Sequence, residues 1–149
     1  MEKLILKIKA DHPGLVFATG TSHCWSPEHG KISYDQKMGN HSVDGLLHEL
    51  GHARLGHEHY TNDIELLQKE VDAWEEALRL AQLYDVTIDE NHLQDCLDTY
   101  RDWLHKRSRC PKCKNTGLQE SEHQYTCLNC EHSWRVTTSR FCRPYRIST

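Results

Sequence analysis

Two groups of side chains in this 149-residue chain have types and spacings that suit chemistry. The first is His48-Glu49-Leu50-Gly51-His52, two histidines four positions apart with an acid between them. Four residues is about 1.1 helical turns, so both imidazoles leave one helix face and can share one metal ion. Glu49, rotated about 100° from His48, falls beside a metal-held water rather than on the metal. There a carboxylate takes the water's proton as attack begins and returns it to a leaving amine. Zinc is the expected ion, because it supplies Lewis acidity and lowers the water's pKa toward about 7.

A catalytic zinc needs a third protein ligand and an open position. His57, Glu58, His59 and Glu70 are candidates. The H-E-x-x-H-x-x-G-x-x-H pattern would need glycine at position 55 and histidine at position 58. The chain has Leu55 and Glu58 there, with Gly56 and His57 one position out of register. Glu70 fits better, on a second helix joined to the first by a short, antiparallel connection, with Asp72 and Glu65 as weaker substitutes. His57 reads as a cation at a helix C-terminus, with support of the metal site as the alternative.

The second group is Cys110-Pro111-Lys112-Cys113 and Cys127-Leu128-Asn129-Cys130, two C-x-x-C turns separated by 13 residues. Each turn presents two thiolates, and two turns complete a closed tetrahedral site with no position for substrate. This zinc is expected to be structural, folding a segment too poor in apolar residues to fold alone. The opening MEKLILKIKA is interrupted by lysines before an export signal could form. Seven cysteines and 12 histidines in such a chain therefore point to metal rather than disulfides. Of the remaining thiols, Cys24 and Cys96 read as small buried groups, although a Cys24 thiolate could instead reach the catalytic zinc and displace its water.

The elements that must position these groups follow from periodicity. Leu4 to Ile8, Leu15 to Ala18 and Lys31 to Tyr34 read as short strands. Ser42 is placed to cap a helix carrying Val43, Leu46, Leu47 and Leu50, which Gly56 would stop. Asn62 and Glu65 form a capping box for a helix striped by Ile64, Leu67, Val71, Trp74, Leu78 and Ala81. Thr87 and Glu90 repeat it before Leu93, Leu97, Tyr100 and Leu104.

Composition sets further bounds. Only 37% of residues are hydrophobic, so the core is lean and metal is a natural second source of stability. No run approaches the ~20 apolar residues of a membrane span, and a soluble, cytoplasmic protein is expected. Charge is uneven: residues 1–100 carry −10 and residues 101–149 carry +6. That asymmetry suggests two units with different partners. Lys106, Arg107, Arg109, Lys112, Lys114, Arg135, Arg140, Arg143 and Arg146, with Trp134, Phe141 and Tyr145, form a set that could meet a nucleic-acid backbone and stack on bases. Docking of the basic unit on a protein is the alternative.

The run His48-Glu49-Leu50-Gly51-His52-Ala53-Arg54-Leu55-Gly56-His57, followed by Glu70-Val71-Asp72-Ala73-Trp74, resembles the ImmA/IrrE family and the related minigluzincins, short-spacer zinc metallopeptidases. The resemblance implies that His48, His52 and Glu70 bind zinc, that Glu49 is the base, and that Lys31 to Tyr34 is an edge strand lining the cleft. Trp74 departs from the polar residue common there. The segments Cys110-Pro111-Lys112-Cys113-Lys114-Asn115-Thr116-Gly117 and Tyr125-Thr126-Cys127-Leu128-Asn129-Cys130-Glu131-His132-Ser133-Trp134 resemble the two knuckles of zinc ribbons.

The expected architecture is α+β: a small antiparallel sheet packed on the active-site and glutamate helices over residues 1–104, then a zinc ribbon and basic tail over 105–149. The expected function is a zinc-dependent endopeptidase with two zinc ions per chain, one catalytic and one structural. Its ribbon would recruit a protein substrate, by analogy with relatives a repressor-like one. The rivals are a nucleic-acid-binding regulator with an inactive protease-like domain, and a SprT-like DNA-associated protease. The latter normally draws its third ligand from a more distant histidine.

Overall fold

The computed structural model describes residues 2–37, 41–137 and 147–148. It is mixed α and β, with α1 (Glu2–Asp11), β1 (Val16–Thr19), β2 (Cys24–Ser26), β3 (Lys31–Tyr34), α2 (Ser42–Arg54), α3 (Asp63–Tyr84), α4 (Glu90–Ser108), β4 (Leu118–Ser121), β5 (Gln124–Thr126), β6 (Ser133–Arg135) and β7 (Ile147–Ser148). The chain divides into two compact units. One comprises Met1–His59 and Gln68–Asp95; the other comprises Tyr60–Leu67 and Cys96–Thr149. The division runs through α3 and α4. None of the described helices is long and apolar enough to cross a membrane.

In the first unit, the segment expected as a strand at Leu4 to Ile8 is instead part of α1. Its buried residues are Ile5 and Ile8, three positions apart, while Lys7 is exposed. That is helical spacing, which the short run of alternating aliphatics and lysines disguised. Glu2 in the first turn and Lys9 in the last also suit the helix dipole.

The three-stranded sheet has the order β1-β3-β2. The expected antiparallel pairing holds between β2 and β3, whereas β1 joins β3 in parallel. Ile32 and Tyr34 are buried while Lys31 and Ser33 are half-buried, a period of two. Because β3 is the central strand, Lys31 to Tyr34 is not the exposed edge that the resemblance implied. The edge beside α2 is β2, a three-residue strand too short to show a period in sequence.

α2 buries Leu46, Leu47 and Leu50 completely. Ser42 is its first residue rather than its cap; His41 takes that place, and the Ser42 hydroxyl is buried without a partner among the described residues. The helix ends at Arg54, two residues before Gly56, whose φ of 64° is the left-handed conformation that glycine adopts without strain.

α3 starts at a modified capping box. Asn62 Oδ1 accepts from the Glu65 N–H at 2.9 Å, while Glu65 Oε2 reaches back to the N–H and hydroxyl of Thr61. Its buried face is Ala73, Trp74, Ala77, Leu80, Ala81 and Tyr84, rotated from the expected stripe, and Ile64 is exposed. At α4 the expected Thr87 cap is replaced by Asp89, whose Oδ1 accepts from the N–H groups of Asn91 and His92.

In the second unit, β4, β5, β6 and β7 form an antiparallel sheet in that order. Tyr125, Trp134 and Val136 pack with Cys110 and Cys127 as its core. A buried polar knot adjoins it. Arg107, 2% exposed, donates from Nε to Asp63 Oδ2 at 2.6 Å and from Nη1 to the Thr137 carbonyl. The Tyr125 hydroxyl donates to the same Asp63 oxygen. Arg107 and the fully buried Trp134, both expected among the nucleic-acid contacts, are therefore internal. Arg140, Phe141, Cys142, Arg143, Tyr145 and Arg146 lie outside the described residues.

Candidate metal centres

His48 and His52 leave one face of α2, and Glu70 reaches them from α3. The close approach of these helices depends on a missing side chain. A Cβ on Gly51 would stand 2.4 Å from the Ala73 carbonyl oxygen. The glycine inside the first motif and the alanine three residues after Glu70 thus form one contact, which brings the carboxylate within reach of the histidines.

Three ligand atoms converge as a result. His48 Nε2 lies 3.2 Å from Glu70 Oε2 and 3.2 Å from His52 Nε2, and the remaining side of the triangle is 3.7 Å. Donors about 2.0–2.1 Å from a tetrahedral ion stand about 3.3 Å apart, so the donor set fits a zinc-sized ion. The imidazole planes are inclined by 82° with centroids 4.6 Å apart, which lets their in-plane lone pairs meet. Burial alone would raise the Glu70 pKa. The His48 and His52 imidazoles facing it outweigh burial and hold the carboxylate at about 2.

Glu49 stands beside this triangle without joining it. Its Oε2 accepts the backbone N–H of Trp25, in the edge strand β2, at 2.7 Å. Burial pushes its pKa upward against the opposing pull of His48, His52 and the Trp25 N–H. That is the direction expected of a carboxylate that must collect a proton.

Trp74, Trp25 and His57 surround the triangle, and for His57 the alternative reading, support of the metal site, agrees with the geometry. Trp74 stacks on the His48 ring, centroids 4.3 Å apart and planes 25° apart, which fixes that imidazole from one face. His57 is not merely a helix-end cation: its Nδ1 is 2.9 Å from His52 Nδ1, and burial, His52 and Lys69 lower its pKa. The Trp25 indole N–H donates to the His57 carbonyl at 2.8 Å. The only sequence signal for these contacts was the cluster of histidine and tryptophan near the motif. Cys24, expected to be buried, is exposed; partial desolvation and the Glu49 charge raise its pKa, favouring the neutral thiol. Among the alternative ligands, Asp72 accepts from Gln68, Glu65 serves the α3 cap, and the group brought together is His48, His52 and Glu70.

The four motif cysteines also converge. Cys110 and Cys130 sulfurs are 3.7 Å apart, and those of Cys113 and Cys127 are 3.4 Å apart. Sulfurs about 2.3 Å from a tetrahedral ion are about 3.8 Å apart, so these also suit a metal. The two turns repeat one backbone pattern. The Lys114 and Glu131 N–H groups donate to the Cys110 and Cys127 carbonyls, with φ of 67° and 58°. The Asn115 N–H, aimed at Cys113, is the main cause lowering that thiol to about 6.

A third group, His41, Asp44 and His92, brings its donor atoms within 4.8 Å of one another. Its two rings lie stacked, with centroids 3.9 Å and planes 25° apart, so their in-plane lone pairs run side by side rather than meeting. Trp74, stacked on His48, also meets His92, with centroids 6.3 Å apart and planes nearly perpendicular.

No family model, curated protein or solved structure matches this chain.

Proposed function

We propose that this protein is a zinc-dependent endopeptidase, similar to the ImmA/IrrE and minigluzincin families, with a C-terminal zinc ribbon that recruits a protein substrate. One observation carries the reading: Nε2 of His48, Nε2 of His52 and Oε2 of Glu70 converge while the Glu49 carboxylate stands beside them, uncommitted to that triangle. Zinc held by those three residues supplies Lewis acidity and makes water acidic enough to be deprotonated near neutral pH.

The chain's own residues do the rest. The Trp25 N–H holds one oxygen of Glu49 and leaves the other free to take a proton from the attacking water. Oxygen bonds to the substrate carbonyl carbon, the C–N bond breaks, and Glu49 passes the proton to the departing amine, so the carboxylate is regenerated. Among the described residues, β2 pairs on only one side. Its free edge can hold an extended peptide by backbone hydrogen bonds along the site.

The four cysteines would hold the structural zinc of the ribbon, since four thiolates would fill a tetrahedral ion's positions and leave none for substrate. A protein substrate, repressor-like by analogy with relatives, is favoured over nucleic acid because Arg107 and Trp134 are internal. The choice of Glu70 rather than a histidine as third donor favours this family over SprT-like proteases.

Glu49→Gln tests the reading. Zinc content is expected to persist while cleavage of a quenched-fluorescent peptide library falls by at least about 10². Cleavage at the original rate would overturn it.

A further inference from the structure

We infer that His57 and Trp25 form a support that orients the metal ligand His52 and ties it to the strand holding Glu49. The inference rests on the metal site proposed above, not on hydrolysis.

His52 turns Nε2 towards His48 and Glu70, so its coordinating lone pair must lie on that nitrogen. A neutral imidazole carries its hydrogen on the other nitrogen. His52 Nδ1 is therefore the donor, and His57 Nδ1, 2.9 Å away, is the acceptor. His57 must then be neutral, with its own hydrogen on Nε2. The partner of a metal-bound histidine is usually a carboxylate, carbonyl or water; here a second imidazole does this work.

That second imidazole needs support itself, because it follows the end of α2, where the helix no longer fixes it. The His57 N–H still donates to the His52 carbonyl at 3.0 Å, which closes the turn between the two histidines. Trp25 completes the clasp: its indole N–H takes the His57 carbonyl at 2.8 Å, and its backbone N–H takes Glu49 Oε2 at 2.7 Å. One residue of the edge strand thus touches both the base and the partner of the ligand. By this geometry Trp25 and His57 are positioning residues. A rotation of His57 would deprive His52 of its acceptor and free its ring to turn.

The test is zinc affinity, measured on the full chain by native mass spectrometry against a graded chelator. The triad step is identified as the one abolished by Glu70→Ala. His57→Ala is expected to weaken that step 10- to 100-fold and leave the four-cysteine step unchanged. His57→Asn places a carbonyl oxygen near the lost Nδ1 and is expected to restore affinity to within a few-fold of the parent. Trp25→Phe keeps the backbone N–H but loses the indole donor, and is expected to weaken the same step by a smaller factor. In a His57→Ala background it should add nothing. A His57→Ala step within twofold of the parent, failure of asparagine to rescue, or an equal effect of Trp25→Phe in both backgrounds would each overturn the inference. A parent protein with no triad step would overturn the metal site itself, whereas an intact triad step without peptide cleavage would overturn only hydrolysis.

Discussion

The backbone N–H of Trp25 donates to Glu49 Oε2 at 2.7 Å, joining residues 24 positions apart in sequence. A backbone donor cannot swing away as a side chain can, so the bond fixes the reach of the carboxylate as well as its rotamer. Shortening that reach by one methylene should therefore be costly. Glu49→Asp is expected to retain full zinc content and to lose about 10²-fold or more in peptide hydrolysis, as read from kcat/KM with metal content measured on the same sample.

Gly51 and Ala73 set the distance between α2 and α3. Gly51→Ala puts a methyl group 2.4 Å from the Ala73 carbonyl, a backbone atom that yields only if a helix moves. The expected cost is about 1–3 kcal/mol of stability, seen as a lower urea midpoint. Zinc should be lost from the histidine-glutamate site while the four-cysteine site keeps its ion. Equal retention at both sites would refute the link between this contact and Glu70.

Arg107 has Asp63 as its buried counter-ion. Asp63→Ala leaves that guanidinium unpaired and is expected to destabilise the protein by about 3–5 kcal/mol in equilibrium unfolding. Arg135, which is exposed, should be replaceable by alanine within about 0.5 kcal/mol. Salt-dependent binding to nucleic acid, if measured, should respond to Arg135→Ala and not to loss of Arg107 in any variant that remains folded.

Glu70 predicts an acid limb for the metal-free protein. Its folded-state pKa of about 2 lies below the usual 4.5. The stabilisation is present in full above that ordinary value and disappears as pH falls through about 4.5 towards 2. The whole difference corresponds to about 3 kcal/mol. Metal-free Glu70→Gln should show a flatter stability profile over this window than the metal-free parent; identical slopes would contradict the pairing of Glu70 with the two imidazoles.

Much of the site was legible because its signals are local. His48 and His52 share a face by helical geometry alone, and each C-x-x-C turn presents its sulfurs together wherever the chain places it. Glu70 was legible through helix spacing and resemblance rather than from its own neighbours in sequence. Leu4 to Ile8 is too short for a period of two to be told from one of 3.6, so only the burial of Ile5 and Ile8 distinguishes the helix from the expected strand. The cap residues His41 and Asp89 were missed for a related reason: Ser42 and Thr87 have suitable side chains, but a cap is defined by which residue stands at the first turn.

The sequence by itself determined the donor types, their spacing within each motif and the helices that carry them, because these depend on the geometry of a few consecutive residues. Tertiary structure decided which long-range partners complete the sites. It placed β2 rather than β3 at the edge, brought Glu70 to the histidines through the Gly51–Ala73 contact, turned His57 towards His52 and withdrew Arg107 to Asp63. Each outcome depends on packing and burial between segments distant along the chain or beyond a helix end, where local periodicity carries no information.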